Sequence, residues 1–480
     1  NPVLFHSFEF AIFFPLVFSL YFVLSHKWQN KMLLLASYIF YGSWDWRYLS
    51  LILISTFVDY FCGLGIQNTT CRKRKKSLLL LSIATNLSLL GIFKYYDFFA
   101  ENFQLFLANI GLSIQPYFLN LILPIGISFY TFQTMSYTID IYRGRLKPAK
   151  NFLDFALYVS FFPQLVAGPI ERGTRLIPQI LKPRIVNWNK FYHGVYFFFW
   201  GFFLKSFIAD NLAELVDPVY NSLGPYDGAQ VLLATYAFSF QIYCDFAGYS
   251  FMAIGLALVM GIELMENFRR PYFSKNISDF WRRWHISLST WFRDYFFTPF
   301  YIYLGKIKFL KAYSIKFRHV LTFMAALLAT EYFLGLWHGA GWNYGFFGIY
   351  HAVMIGVYYL TRHYWDKMNL FLQIFLNYQI VCLGWLIFRA DTMEQAWEML
   401  KSILVSFSFA QVVDLKISLI KFLAFTTILI TVQIFQDWKN DTLIIFRLPP
   451  AFRYAYYSLL GTLILVFGNF EERPFIYFQF

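Results

Sequence analysis

EYFLGLWHGAGWNYGFFGIYH, residues 331–351, sets a histidine, His338, between two long apolar runs. Trp337 and Trp342 flank it, and Gly339 and Gly341 leave the backbone around it bare. An ionisable side chain at membrane depth is costly, which marks it as a functional group by default. The competing reading is a helix-end histidine bonded to a backbone carbonyl. The rest of the chain separates the two.

Outward from this stretch the surroundings stay apolar. Of 480 residues 58% are apolar and 14% charged, with 61 Phe, 35 Tyr and 14 Trp, whereas soluble domains carry roughly 25% charged residues. The excess arrives in blocks, and a run of about 18 or more apolar residues reads as a membrane-spanning helix. The expected fold is an all-α polytopic membrane protein, a single domain over 1–480, with about 11–12 transmembrane helices plus re-entrant and interfacial ones. No soluble domain boundary and no tandem repeat interrupts it.

Charge placement orients the spans. Apolar blocks at 8–25, 31–44, 47–66, 78–96 and 119–139 are followed by others at 191–209, 229–262, 320–337, 343–361, 370–388, 415–436 and 451–468. Residues 1–10 lack a basic n-region, so block 8–25 reads as the first span rather than a cleaved signal. Basic clusters at 71–76, 141–151, 171–190 and 305–318 (Lys306, Lys308, Lys311, Lys316, Arg318) mark the cytoplasmic face, because Lys and Arg resist translocation. The segments 97–117 and 210–228 carry acids without Lys or Arg and are placed outside, as are both termini. Residues 152–170, FLDFALYVSFFPQLVAGPI, lie between two basic flanks and contain Pro163, Gly168 and Pro169. Such a block dips into the membrane and returns, its irregular backbone buried in protein.

Block 229–262 is too long for one crossing and contains Asp245-Phe-Ala-Gly-Tyr-Ser250. A carboxylate beside a glycine suggests a helix bent or split around a site, or a kink with Asp245 capping the second half. The segment FWRRWHISLSTWFRDYFFTPF (280–300) interleaves aromatic and basic residues, as at a membrane–water interface. Framed by apolar segments, it does not read as a nucleic-acid patch despite the net charge of +13. Asn276 or Ser278 caps the helix entering it. Residues 394–401 read as an amphipathic surface helix.

The reactive inventory is short. Cys62, Cys71, Cys244 and Cys382 lie far apart, giving neither a disulfide framework nor a zinc site. His338 and His351 find no third ligand, so no metal is expected. A G-x-S-x-G elbow, a P-loop and a dinucleotide fingerprint are all absent. Histidines without a cysteine nucleophile or metal-ligand spacing suit general base catalysis. Group transfer inside the membrane, or transport along a polar pathway, remains.

FWRRWHISLSTWFRDY (280–295) and LWHGAGWN (336–343) resemble the two histidine motifs of the membrane-bound O-acyltransferase (MBOAT) superfamily. LVAGPIERGTRLIPQI (165–180), FQIYCDFAGYSFMAIG (240–255) and the tail PFIYFQF (474–480) extend the likeness to the bacterial branch that acetylates alginate and peptidoglycan and transfers D-alanine to teichoic acid. The resemblance implies a catalytic His338 with His285 as second family histidine, and a central tunnel or funnel admitting donor from the cytoplasm and acceptor from outside. Trp281, Arg282, Arg283, Trp337, Asp245 and Tyr249 are candidates for the donor path, with His351 and Asn343 in support. Gly339 and Gly341 would let substrates approach the imidazole, and their N–H groups would face a developing oxyanion. The charge-based topology puts His285 inward and His338 outward.

No bound cofactor is implied. Acetyl-CoA is the implied donor, and a surface polysaccharide, or an esterase-like partner on the outer face, the implied acceptor side. Localisation would be the bacterial cytoplasmic membrane. After WFRDY, alginate-type members commonly continue Leu-Tyr-Ile-Pro-Leu-Gly-Gly. Residues 296–302 are Phe-Phe-Thr-Pro-Phe-Tyr-Ile instead, which leaves acetyl and D-alanyl transfer both open.

Overall fold

The computed structural model describes residues 4–166, 168–185, 187–307, 314–470, 473 and 475–478. Lys308 and Lys311 of the basic loop, and residues 474, 479 and 480 of the tail motif, lie outside them. Every regular element among the described residues is helical. Six helical runs there are long and apolar enough to cross a membrane: His26–Asn68, Arg72–Asn109, Gly228–Val259, Ile315–His338, Leu370–Arg389 and Lys416–Lys439. The first two, 43 and 38 residues long, reach about 65 and 57 Å at roughly 1.5 Å per residue, about twice the hydrocarbon thickness of roughly 30 Å. Each is interrupted, the first by a 3₁₀ turn at Trp46–Tyr48 that Asp45 caps, the second by a π-helical turn at Gly91–Tyr95. The multi-pass, all-helical membrane architecture is thus present.

Two compact units divide the chain. The first comprises Asn1–Phe199 and Tyr249–Met265. In it the block 152–170 forms only the short helices Phe152–Ser160 and Phe162–Leu165. Nine residues reach about 13 Å, far less than a crossing. The backbone they leave open is satisfied by side chains: Gln133 and Gln164 both donate to the Tyr158 carbonyl (2.6 and 2.7 Å), and Ser37 Oγ accepts the Phe162 N–H at 3.0 Å. Buried irregular backbone of this kind is what a bilayer tolerates.

A second polar knot joins three helices of this unit. Fully buried Asp59 accepts from Ser82 (2.5 Å) and Asn86 (2.8 Å), and Asn86 accepts from Ser55 (2.7 Å) and Thr134 (3.1 Å). In lipid, where apolar surface no longer drives association, such bonds help to hold helices together. Residues 119–126 are not helical; the span expected over 119–139 begins at Ile127, after Gly126 takes φ 76° with the Leu165 carbonyl where a Cβ would stand.

The second unit, Trp200–Gly248 and Glu266–Phe480, is built on the antiparallel helices Ile315–His338 and Trp342–Trp365. Their backbones nearly touch. A Cβ on Gly335 would stand 2.1 Å from the Tyr344 carbonyl oxygen, and one on Gly348 would stand 2.0 Å from that of Glu331. Small residues permit this spacing, the usual device for packing helices in lipid.

The helix Gly228–Val259 is continuous over 32 residues, so the break expected at 245–250 is absent. Its glycines serve packing instead. Within the second unit Gly248 lies against the Gly201 carbonyl, and within the first Gly255 lies against the Gly194 carbonyl. Residues 393–405 form the expected amphipathic helix, Met393–Val405.

Gly348→Ala, which must displace backbone, should cost about 1–3 kcal/mol and lower the melting temperature in detergent, while Gly461→Ala, with open space around it, should not. Cys71 is exposed and the other cysteines are buried. A membrane-impermeant maleimide should therefore label Cys71 alone, and only once the inner face is opened; labelling of intact cells would reverse the orientation.

Candidate active site

His338 closes its helix, with Gly339 as the extended C-cap, and four residues later Trp342 opens the next helix behind Gly341. A helix C-terminus favours positive charge, which supports an imidazole that must take up a proton. The following N-terminus presents backbone N–H groups without intrahelical acceptors, suited to an anion. Gly341 supplies no capping side chain there. Base and anion-binding donors therefore come from one tight connection.

His338 is 3% exposed. Its ring lies in an aromatic cage of Trp337, Phe388, Tyr477 and Phe347, at centroid distances of 5.2, 5.4, 5.5 and 6.2 Å. His285 joins the same cage, 5.7 Å from Trp337 and 6.4 Å from Tyr477, and is fully buried. His285, read from charge as inward, and His338, read as outward, thus share one cage, two rings of which contact both. The reason is local. The helices Ile277–Arg283 and Ile286–Phe292 are seven residues each, too short to cross, and the chain between them turns inward at His285.

That turn is held open. His285 adopts φ 42°, a left-handed conformation uncommon outside glycine and enriched at functional positions. Asn267 secures it. The Asn267 carbonyl accepts the Ile286 N–H at 2.9 Å, and its side-chain oxygen accepts Ser287 Oγ–H at 2.8 Å and His285 Nδ1–H at 3.1 Å. With the proton on Nδ1, the lone pair of His285 is on Nε2. Burial pulls the imidazolium down to about 3, so His285 is neutral at pH 7. Sequence reasoning missed Asn267; nothing in ENFRRPY distinguishes it from a loop asparagine. Asn276, read as a cap, does accept the Asp279 N–H at 2.8 Å.

The other sequence candidates distribute unevenly. Trp281 Nε1–H donates to His351 Nδ1 at 3.3 Å, and Phe347 stands between His351 and His338 at 4.5 and 6.2 Å. These residues adjoin the cage. Arg282 is mostly exposed, 3.8 Å from Asp279, while Arg283 pairs with Asp279 at 3.0 Å and Asp437 at 3.6 Å. Tyr249 belongs to the first unit, where its hydroxyl bonds His6 Nδ1 at 2.8 Å.

Gly339 does not leave room for substrate: a Cβ there would strike the Tyr344 ring at 2.2 Å. Its bareness seats that ring. Gly341, by contrast, lines a cavity of about 730 Å³ together with Ala340, Asn343, Tyr344, Asp210 and Asp245. Asn343 is tied to the Ala390 carbonyl at 2.8 Å. The cavity is polar and charged, and it reaches the very connection that carries His338. A buried base, helix N-terminal donors and a polar vestibule beside them form a constellation suited to acyl transfer onto a hydroxyl.

Comparison with known proteins agrees. The profile of MBOAT, the membrane-bound O-acyltransferase family, matches residues 144–393, over half of the chain. The chain is 39% identical over 401 residues to the probable alginate O-acetylase AlgI of Pseudomonas aeruginosa, covering 83% of this chain and 73% of that protein. It is 35% identical over 426 residues to the peptidoglycan O-acetyltransferase of Helicobacter pylori, covering 81% and 77%. Identity to the teichoic acid D-alanyltransferase of Bacillus subtilis is 32% over 283 residues, covering 56% and 69%. With its paired histidines in one cage and these relatives along most of its length, the chain belongs to the membrane-bound O-acyltransferase family and is a multi-pass membrane acyltransferase.

Proposed function

We propose that the protein carries an acetyl group from cytoplasmic acetyl-CoA to hydroxyls of a cell-surface polysaccharide, working in the bacterial cytoplasmic membrane with an extracytoplasmic partner. The observation that carries this reading is the position of His338, buried at a helix end beside a polar cavity and the N-terminus of the next helix. His338 takes the proton of the acceptor hydroxyl as its oxygen attacks the thioester carbonyl. N–H groups at the start of Trp342–Trp365 hold the tetrahedral oxyanion. Collapse breaks the C–S bond, and the leaving thiolate takes the proton back from His338, so atoms and charge balance.

Neutral His285, fixed by Asn267, orients the donor or its carbonyl within the same cage. Trp281 and His351 line the approach beneath it, and Arg282, being mostly exposed, offers a cation to the donor's phosphates. Acetyl is preferred to D-alanyl because the acetylating relatives align over 81–83% of the chain and the D-alanyl ones over 56–61%. Alginate and peptidoglycan are the acceptor classes named by those relatives, and either supplies the required hydroxyl.

His338→Ala should lower acetyl transfer by about 10²–10⁴-fold with unchanged protein in the membrane, measured with labelled acetyl-CoA. Full activity in that variant would overturn the assignment. Asn267→Ala should lower transfer less, because it frees the His285 tautomer without removing the base. A charged D-alanyl carrier protein acting as donor where acetyl-CoA does not would reassign the acyl group.

A further inference from the structure

Residues 467, 469, 473, 476 and 477 lead to the histidine cage along a line of polar attachments within the second unit. Asn469 N–H donates to the Ser206 carbonyl at 2.9 Å, and Asn211 Nδ2–H to that of Phe467 at 2.8 Å. Arg473 pairs with Asp217 at 3.2 Å. Beyond that, Ile476 N–H donates to Asp245 Oδ2 at 2.6 Å. Tyr477 then packs against Phe246, ring centroids 4.3 Å apart, and enters the cage of His338 and His285.

Asp245 is 3% exposed. Its other oxygen lies 2.7 Å from Lys205 Nζ, and Lys205 lies 2.8 Å from Asp210. All three are buried. A lone buried carboxylate is expensive, and so is a lone buried ammonium; each is tolerated here because the other stands against it. Lys205 sits on the π-helical stretch Leu204–Ala209, a distortion frequent at functional sites. A charged acceptor holds an N–H about twice as strongly as a neutral one. The contact that seats residue 476 is therefore a charge-assisted bond.

We propose that Asp245 is a positioning residue for acyl transfer, acting through the Ile476 N–H to hold the C-terminal segment against His338 and His285, with Lys205 and Asp210 as its charge partners. This rests on the proposed role of His338 and differs from a place on the donor path. A donor-path residue touches the thioester carrier and changes its KM. A positioning residue behind the cage changes kcat.

The test uses the full chain in everted membrane vesicles, with free CoA released from acetyl-CoA as the readout and His338→Ala as background. Asp245→Ala and Ile476→Pro, which removes the N–H while leaving the three charges in place, should each lower kcat by at least tenfold with donor KM within twofold. Their combination should be no slower than either alone, and Asp245→Asn, which keeps an acceptor for the N–H, should recover part of the rate. Wild-type kcat in Ile476→Pro, multiplicative losses in the double variant, or a raised donor KM at unchanged kcat would each overturn the anchoring. If Asp245→Ala does not reach the membrane, Ile476→Pro decides alone. No release by wild type above background would overturn the acyl-transfer reading and the anchoring with it; an active wild type with an equally active Ile476→Pro overturns only the anchoring.

Discussion

The approach of two helix backbones at Gly335 and Gly348 governs the half of this protein that carries His338. With carbonyl oxygens of the neighbouring helix standing where side chains would be, the helices Ile315–His338 and Trp342–Trp365 leave little freedom at the connection between them. That connection carries His338 at one helix end and the first N–H groups of the next helix. In a soluble protein such a hairpin would be fastened by burial of its apolar faces. In lipid the apolar faces have nothing to gain from one another, so close van der Waals contact through small residues takes over.

Polar groups obey the same solvent. A bilayer offers no hydrogen bonds, and each buried carboxylate, amide or open carbonyl must find its partner in the protein. The first unit meets this with hydroxyls and amides: Asp59 among Ser82 and Asn86, and Gln133 and Gln164 on the carbonyl of Tyr158. The second unit meets it with charge, Lys205 between Asp210 and Asp245. The difference matters chemically, since the charged set borders the cavity that Ala340 and Gly341 also line.

Several readings changed once neighbours were known. Glycine beside an acid in 245–250 looked like a helix break, yet Gly248 is a packing notch in an unbroken helix and Asp245 bonds outward. Gly339 looked like an opening for substrate and is the seat of Tyr344. His285 looked interfacial, because arginines precede it, but a turn between two seven-residue helices carries it inward to His338's cage. In each case the local sequence did not reveal what stood opposite.

Composition determined, without any structure, that this chain is a polytopic helical membrane protein, and the Lys and Arg flanks with Pro163, Gly168 and Pro169 marked 152–170 as an interrupted block, which folds as two short helices. These signals are local: hydropathy and charge act residue by residue on the choice between water and lipid. The paired histidine motifs likewise named His338 and His285 from sequence. Only the tertiary structure decided that the two rings share one cage, that Asn267 holds the turn, and that Asp245 reaches the N–H of Ile476. The last pair lies 231 positions apart, and no periodicity or motif spans that distance, because such a contact exists only after the helices between have packed.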